Sequence, residues 1–355
     1  MFKKIFLLFL ALLFIAGGYF YVFPIYPDYG ISEEYFHTRF HEEGFDSPQN
    51  GFHAWKELIE CLDEYTGLIG EFDIYYKCFL EDDCSYIDQN LTSQEKVIYL
   101  ELILNDTDKM SEFGDFIQNF TSTLEYISSS YSYISTLNYH GSDDLGIAIG
   151  SEMIFNQQLR AFTRGILFYM YYSSNSEASS IFISYYKYLS WLSQNLDDNV
   201  VGYLVLIEIL DMLFDFLTSY YDKFSPAFQG HIQRVISDFY ITEGMMINGV
   251  KSEHQYKLLL YQGIEDGALD GGDNSWGFNP KTFLFYDILD TLNLARKIDK
   301  NTIEGNCDFE IQINGRNFIG RTLLEMNHCF LLDRHFQKEA DLLEKRLEII
   351  DLLTN

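Results

Sequence analysis

The residues whose types best suit chemistry lie in one stretch, Glu265 to Lys281, reading EDGALDGGDNSWGFNPK. Asp266, Asp270 and Asp273 place three carboxylates along a glycine-rich loop, a supply of groups for acid–base work or for holding a cation. Gly271 and Gly272 permit tight turns there. Trp276, set among acids, has the shape of a sugar-stacking platform. Asp266, Asp270 and Asp273 are therefore the candidate catalytic residues and Trp276 the candidate ligand-binding residue. The plainer reading is a structural loop between two helices. The spacing matches no EF-hand, because the acidic residue of its twelfth position is missing.

Other motifs offer less. His37 and His41 stand four apart and can chelate a metal on a helix, but the glutamate placement of HExxH is absent. His328 and His335 lie seven apart, a spacing better suited to a solvated or satisfied pair. No G-x-S-x-G, phosphate-binding loop or dinucleotide fingerprint occurs, so neither a nucleophilic site nor a cofactor is expected. The chain has five cysteines. Cys78 and Cys84 enclose a short loop that suits a disulfide, and Cys307 with Cys329 is a possible second bridge. That leaves Cys61 over, expected as a buried helix residue. No CxxC pair supports zinc, and no metal is expected.

One further pattern involves charge. Val200 to Phe216 is apolar nearly all round, with Glu208, Asp211 and Asp215 on a single stripe. Three acids at about 2.5–3.5 kcal/mol each exclude it as a membrane span. It reads as a central helix whose acids face water or meet Arg160 and Arg164, which share a face one helix pair earlier. Arg160, Arg164, Glu208 and Asp211 are the candidates for a buried ion-pair network.

The elements that position these residues are helical almost throughout. Hydrophobic periodicity predicts helices near 51–68, 91–104, 110–138, 151–172, 177–196, 199–222, 226–241, 252–264, 281–297, 318–332 and 335–353. Only 306–314 alternates like a strand, and it has nothing to pair with. The expected fold is all-α: an N-terminal transmembrane or signal helix, then a large domain of roughly ten to twelve helices. Residues 1–24 form the anchor, 25–50 a linker and 51–355 the helical exported domain. Lys3 and Lys4 precede the apolar run Ile5 to Phe23, whose nineteen residues would rise roughly 28 Å as a helix. The lysines predict a cytoplasmic N-terminus, a single pass through the inner membrane and a periplasmic bulk. The alternative is a cleaved signal peptide, with a secreted or periplasmic product.

Net charge narrows the partners. Against 53 Asp and Glu stand 24 Lys and Arg, a formal net charge of −29, which argues against a nucleic-acid partner because phosphate contacts need a basic face. The membrane, through residues 5–23, and another envelope protein are the partners expected.

The order of features resembles a group of uncharacterised Gram-negative envelope proteins. The shared features are the N-terminal anchor, an Asn-aromatic helix start (Asn50-Gly51-Phe52) and a Cys…Asp-Cys loop (Cys78, Asp83, Cys84). An Asn-Pro-x-Thr stretch (Asn279 to Thr282) and an N-x-I-G-R-x-L-L helix start (Asn317 to Leu324) complete the pattern. The resemblance implies bacterial export, the 78–84 disulfide and one continuous helical domain, and it implies no activity. The function expected is non-enzymatic binding or scaffolding. The alternative is a helical carbohydrate-active hydrolase built on a pair of carboxylates.

Overall fold

Thr92 starts a helix in the manner its sequence predicts. Its hydroxyl accepts from the Glu95 amide, and the Glu95 carboxylate accepts from the Thr92 amide at 2.8 Å. This capping box answers two of the donors that a first turn leaves unpaired. The structure, a computed structural model, describes residues 29–38, 47–87, 92–135, 145–173, 175–198, 200–266, 288–306 and 329–354. Eleven α-helices run through these residues: α1 (Phe52–Glu64), α2 (Thr66–Leu80), α3 (Ser93–Asn105), α4 (Thr107–Ser130), α5 (Leu145–Tyr172), α6 (Asn175–Asn195), α7 (Val200–Tyr220), α8 (Pro226–Asp238), α9 (Met245–Asp266), α10 (Ile288–Ile303) and α11 (Cys329–Thr354). Short 3-10 turns cover Glu33–Phe36 and Tyr221–Lys223.

Contacts divide the chain into two compact units, residues 1–37 with 254–333 and residues 38–253 with 334–355. In the larger unit α5 packs along α2 and also against α7. Gly165 makes the first of these contacts possible: a Cβ there would lie 2.8 Å from the Phe113 ring and 3.2 Å from Phe72 Cβ. The core so formed is aromatic. Phe72 stacks on Phe113 with centroids 3.7 Å apart and meets Phe168 edge-on at 5.9 Å. In the same unit, α11 sends Glu339 to the start of α9, where its buried carboxylate accepts from the amides of Gly244, Met245 and Met246. The negative charge there also meets the positive end of the helix dipole. Of the smaller unit, the elements described are the 3-10 turn, the His254–Asp266 part of α9, α10 and the start of α11, residues 329–333.

Several expectations change. The predicted helix 51–68 is two helices, with a break at Tyr65 and α2 running on to Leu80. The expected 110–138 helix stops at Ser130 because the chain turns extended at Tyr131. Ile134–Ser135 then pairs in parallel with Leu196–Asp197, forming β1 and β2. The stretch 306–314, where a strand was expected, lies outside the described residues beyond Asn306.

The membrane-anchored reading is overturned. No helix among the described residues is long and apolar enough to cross a membrane. Residues 5–23, on which the anchor was placed, lie outside the described residues. The most apolar described helix, α7, is covered by protein instead: eleven of its side chains are buried, and its acids meet cations. What stands is a helical fold with no membrane-crossing helix among its described residues. It replaces the signal-anchored, single-pass inner-membrane protein with a periplasmic bulk and a membrane partner at residues 5–23.

Candidate functional site

The acids of α7 become the centre of an ion-pair seam because α5 lies between α2 and α7. Glu208 pairs with Arg160 of α5 and, at 3.5 Å, with Lys338 of α11. Asp211 and Asp215 share Lys345 of α11, at 2.5 and 2.9 Å. Burial works against the charge on Lys345, but its bonds to the two aspartates outweigh that and raise its pKa. Arg164 turns away from the acids of α7. It pairs with Asp73 of α2, which also holds Lys77 at 2.7 Å, and its Nη1 approaches the sulfur of Met212 at 3.7 Å. Of the four ion-pair candidates, the structure brings Arg160 and Glu208 together, gives Asp211 to Lys345 and gives Arg164 to Asp73. The α7 pairs are half-buried, their side chains from 31% exposed at Arg160 to 62% at Asp215; Asp73 is the enclosed member, 12% exposed.

Beside this seam the C-terminus of α2 is turned back on itself. Asp82 takes a left-handed conformation, φ 59°, and brings Cys84 to Cys78, with which it forms a disulfide. Lys96 of α3 then bonds Asp82 at 2.6 Å and ties α3 to the closed loop. Glu81, at the end of α2, has its carboxyl pushed up by burial and by Asp73 and Asp83, against the pull of Arg164 and Lys77. Next to the loop, α3 presents apolar side chains to solvent. Val97, Ile98 and Leu102 are 56%, 58% and 65% exposed, and Tyr86 of the loop is 63% exposed. Glu95 and Glu101 are exposed on the same helix. On this helix Ile103 is buried.

Two arrangements imitate catalytic sites without completing one. Ser179 Oγ lies 2.7 Å from His231 Nδ1, the nucleophile–base half of a triad. No carboxylate hydrogen-bonds His231 among the described residues, and Ser179 is buried on a helix rather than raised on a turn. Asp197 accepts from Ser135 at 3.0 Å and Ser252 at 2.6 Å, and Asn50 bonds the backbone of Ser135 in both directions. These groups are buried, so they fasten residues 47–50 to β1 and β2.

The remaining sequence candidates fall elsewhere. Asp266 closes α9, while Asp270, Asp273 and Trp276 lie outside the described residues. Cys307 and His328 also lie outside them, as does His41. Cys329 begins α11. Cys61 is exposed, not buried, because α1 turns it to solvent. Among the described residues no group of His, Cys, Asp and Glu could hold a metal ion. Comparison with protein-family models, with curated proteins and with solved structures finds no match.

Proposed function

We propose that this protein acts by binding, without catalysis, and that α3 with the disulfide loop is its docking face. The observation that carries this reading is the exposed row Val97, Ile98 and Leu102. Ile98 and Leu102, one turn apart on α3, and Val97 beside Ile98 are each more than half exposed and favour a partner that covers them. Glu101, which lies on the helix between Val97 and Ile98, and Glu95 beside Leu102, on a chain of net charge −29, suit a partner that carries cationic groups. An amphipathic helix with an apolar stripe bordered by Lys or Arg has both properties. The disulfide suits an oxidising compartment, where it fixes the turn that presents α3.

The test uses a synthetic amphipathic peptide of Leu and Lys, labelled and titrated with the full chain. Ile98→Glu with Leu102→Glu should weaken its binding at least about tenfold, or 1.4 kcal/mol, while leaving unfolding unchanged. A scrambled peptide of equal composition should also bind more weakly. Equal binding by the variant, or by the scrambled peptide, would reduce the effect to net charge and remove α3 as the docking face.

A second reading, a helical carbohydrate-active hydrolase, draws on Glu81. Its carboxyl is raised by burial and by Asp73 and Asp83, as a general acid's must be. Reducing ends released from a polysaccharide, and lost in Glu81→Gln, would favour it over the binding reading.

A further inference from the structure

We propose that Glu33, His254 and Asp299 form a pH-dependent latch that holds residues 29–37 against α9 and α10. All three belong to the smaller unit. His254 is completely buried in α9, and each ring nitrogen faces a carboxylate. Nδ1 lies 2.6 Å from Asp299 Oδ2, and Nε2 lies 3.5 Å from Glu33 Oε2. A neutral imidazole carries one N–H and can serve only one of these acceptors, whereas the imidazolium serves both. Nε2 and Glu33 Oε2 are also the two buried polar atoms here with no geometrically sound hydrogen bond. A charge on the ring reaches Glu33 as an ion pair across 3.5 Å, and that charge is what the arrangement turns on.

Among the described residues the groups facing the ring come from three elements. From the 3-10 turn come Glu33 and the ring of Phe36, stacked on His254 with centroids 3.8 Å apart. From α10 come Asp299 and Arg296, whose guanidinium pairs with Glu33 Oε1. From α9 itself comes Lys257, 3.0 Å from Asp299 Oδ1. When His254 is charged, Glu33 is paired with it and with Arg296, and Asp299 with it and with Lys257. When it is neutral, the shorter contact keeps the remaining proton on Nδ1 towards Asp299. Nε2 then offers a lone pair to Glu33, and of the described cations Arg296 keeps its pair with that carboxylate. The cation–π contacts of Lys297 on Tyr29 and Lys300 on Tyr35 are weaker supports, at 4.4 and 5.8 Å.

The sign of the response follows from the shifts. Burial opposes charge on His254, but the hydrogen bonds and charges of Asp299 and Glu33 outweigh it and raise its pKa above the ordinary 6.5. Its contribution is thus fully present below pH 6.5 and is lost as pH rises through the raised value. Burial likewise opposes the charges on Glu33 and Asp299. His254 and Arg296 override it for Glu33, and Lys257 and His254 for Asp299, so both carboxyls are lowered. Their contribution is lost only on the acid side, as pH falls through those lowered values. The latch is tightest in mildly acidic solution and loosens towards alkaline pH.

Hydrogen exchange of the full chain tests this, read at the amides of Tyr35 and His37, which bond the carbonyls of Ser32 and Glu34. After correction for intrinsic rates, their protection should fall by up to about tenfold per pH unit above the pKa of His254, then level off. His254→Gln should abolish the dependence. Glu33→Gln keeps the test valid if that buried variant fails to fold, because Glu33 is a third exposed. Its amide can donate to neutral Nε2, so protection should persist on the alkaline side. A flat profile in the unaltered chain, or the unaltered profile in Glu33→Gln, would overturn the latch.

Discussion

The ion-pair seam on α7 and the cluster around His254 use the same side-chain types to different ends. In the seam, acids on a helix face meet long cations whose side chains stay about a third exposed, so water screens each pair. Around His254, the imidazole is wholly buried and Asp299 nearly so, and each charge depends on particular neighbours for solvation. Exposed pairs tolerate loss of a partner because water takes its place. Enclosed ones do not, and that dependence makes protonation of a single imidazole consequential. Catalysis needs a third arrangement, perturbed groups open to a substrate, and of the described acids Glu81 comes nearest to it.

The comparison predicts a descending series of effects. Asp299→Ala should cost the most, about 3–5 kcal/mol in denaturant unfolding, because it removes a buried carboxylate that both His254 and Lys257 contact. A loss of only about 1 kcal/mol would place the cluster with the surface pairs. Arg164→Met should fall between, at about 2 kcal/mol. Asp73 is largely enclosed but keeps Lys77, so one of its two cations survives the change. A cost equal to that of Asp299→Ala would mean the seam is buried in practice at this point.

What the sequence discloses is what nearby residues decide. Thr92 and Glu95 are three apart, so the capping box and the start of α3 can be read directly. The stripe Glu208, Asp211, Asp215 is equally local. Its partners are not: Lys345 lies 134 residues from Asp211, and a single lysine in a charged helix gives no sign of where it points. The break at Tyr65 leaves no mark in the sequence because neither Pro nor Gly stands there, although Thr66 bonds its side chain back to Leu62. Strands β1 and β2 are two residues each, too short for any alternation to register. The sequence is silent on His254 for the same reason as on Lys345. Glu33 reaches it across most of the chain, and only the fold brings the two nitrogens between two carboxylates.

Lys345→Met sharpens the comparison from its weak end. Lys345 bridges Asp211 and Asp215, like charges one helical turn apart, so its removal costs two attractions and uncovers one repulsion. With these side chains a third or more exposed, the total should stay within about 1 kcal/mol. Raising the salt concentration should shrink the difference between the variant and the unaltered chain, since screening weakens the lost attractions and the new repulsion together. Asp299→Ala should show little such dependence, because ions do not reach its partners. If salt leaves the Lys345→Met difference untouched, the seam on α7 is shielded as the His254 cluster is, and the distinction between the two regions fails at its exposed end.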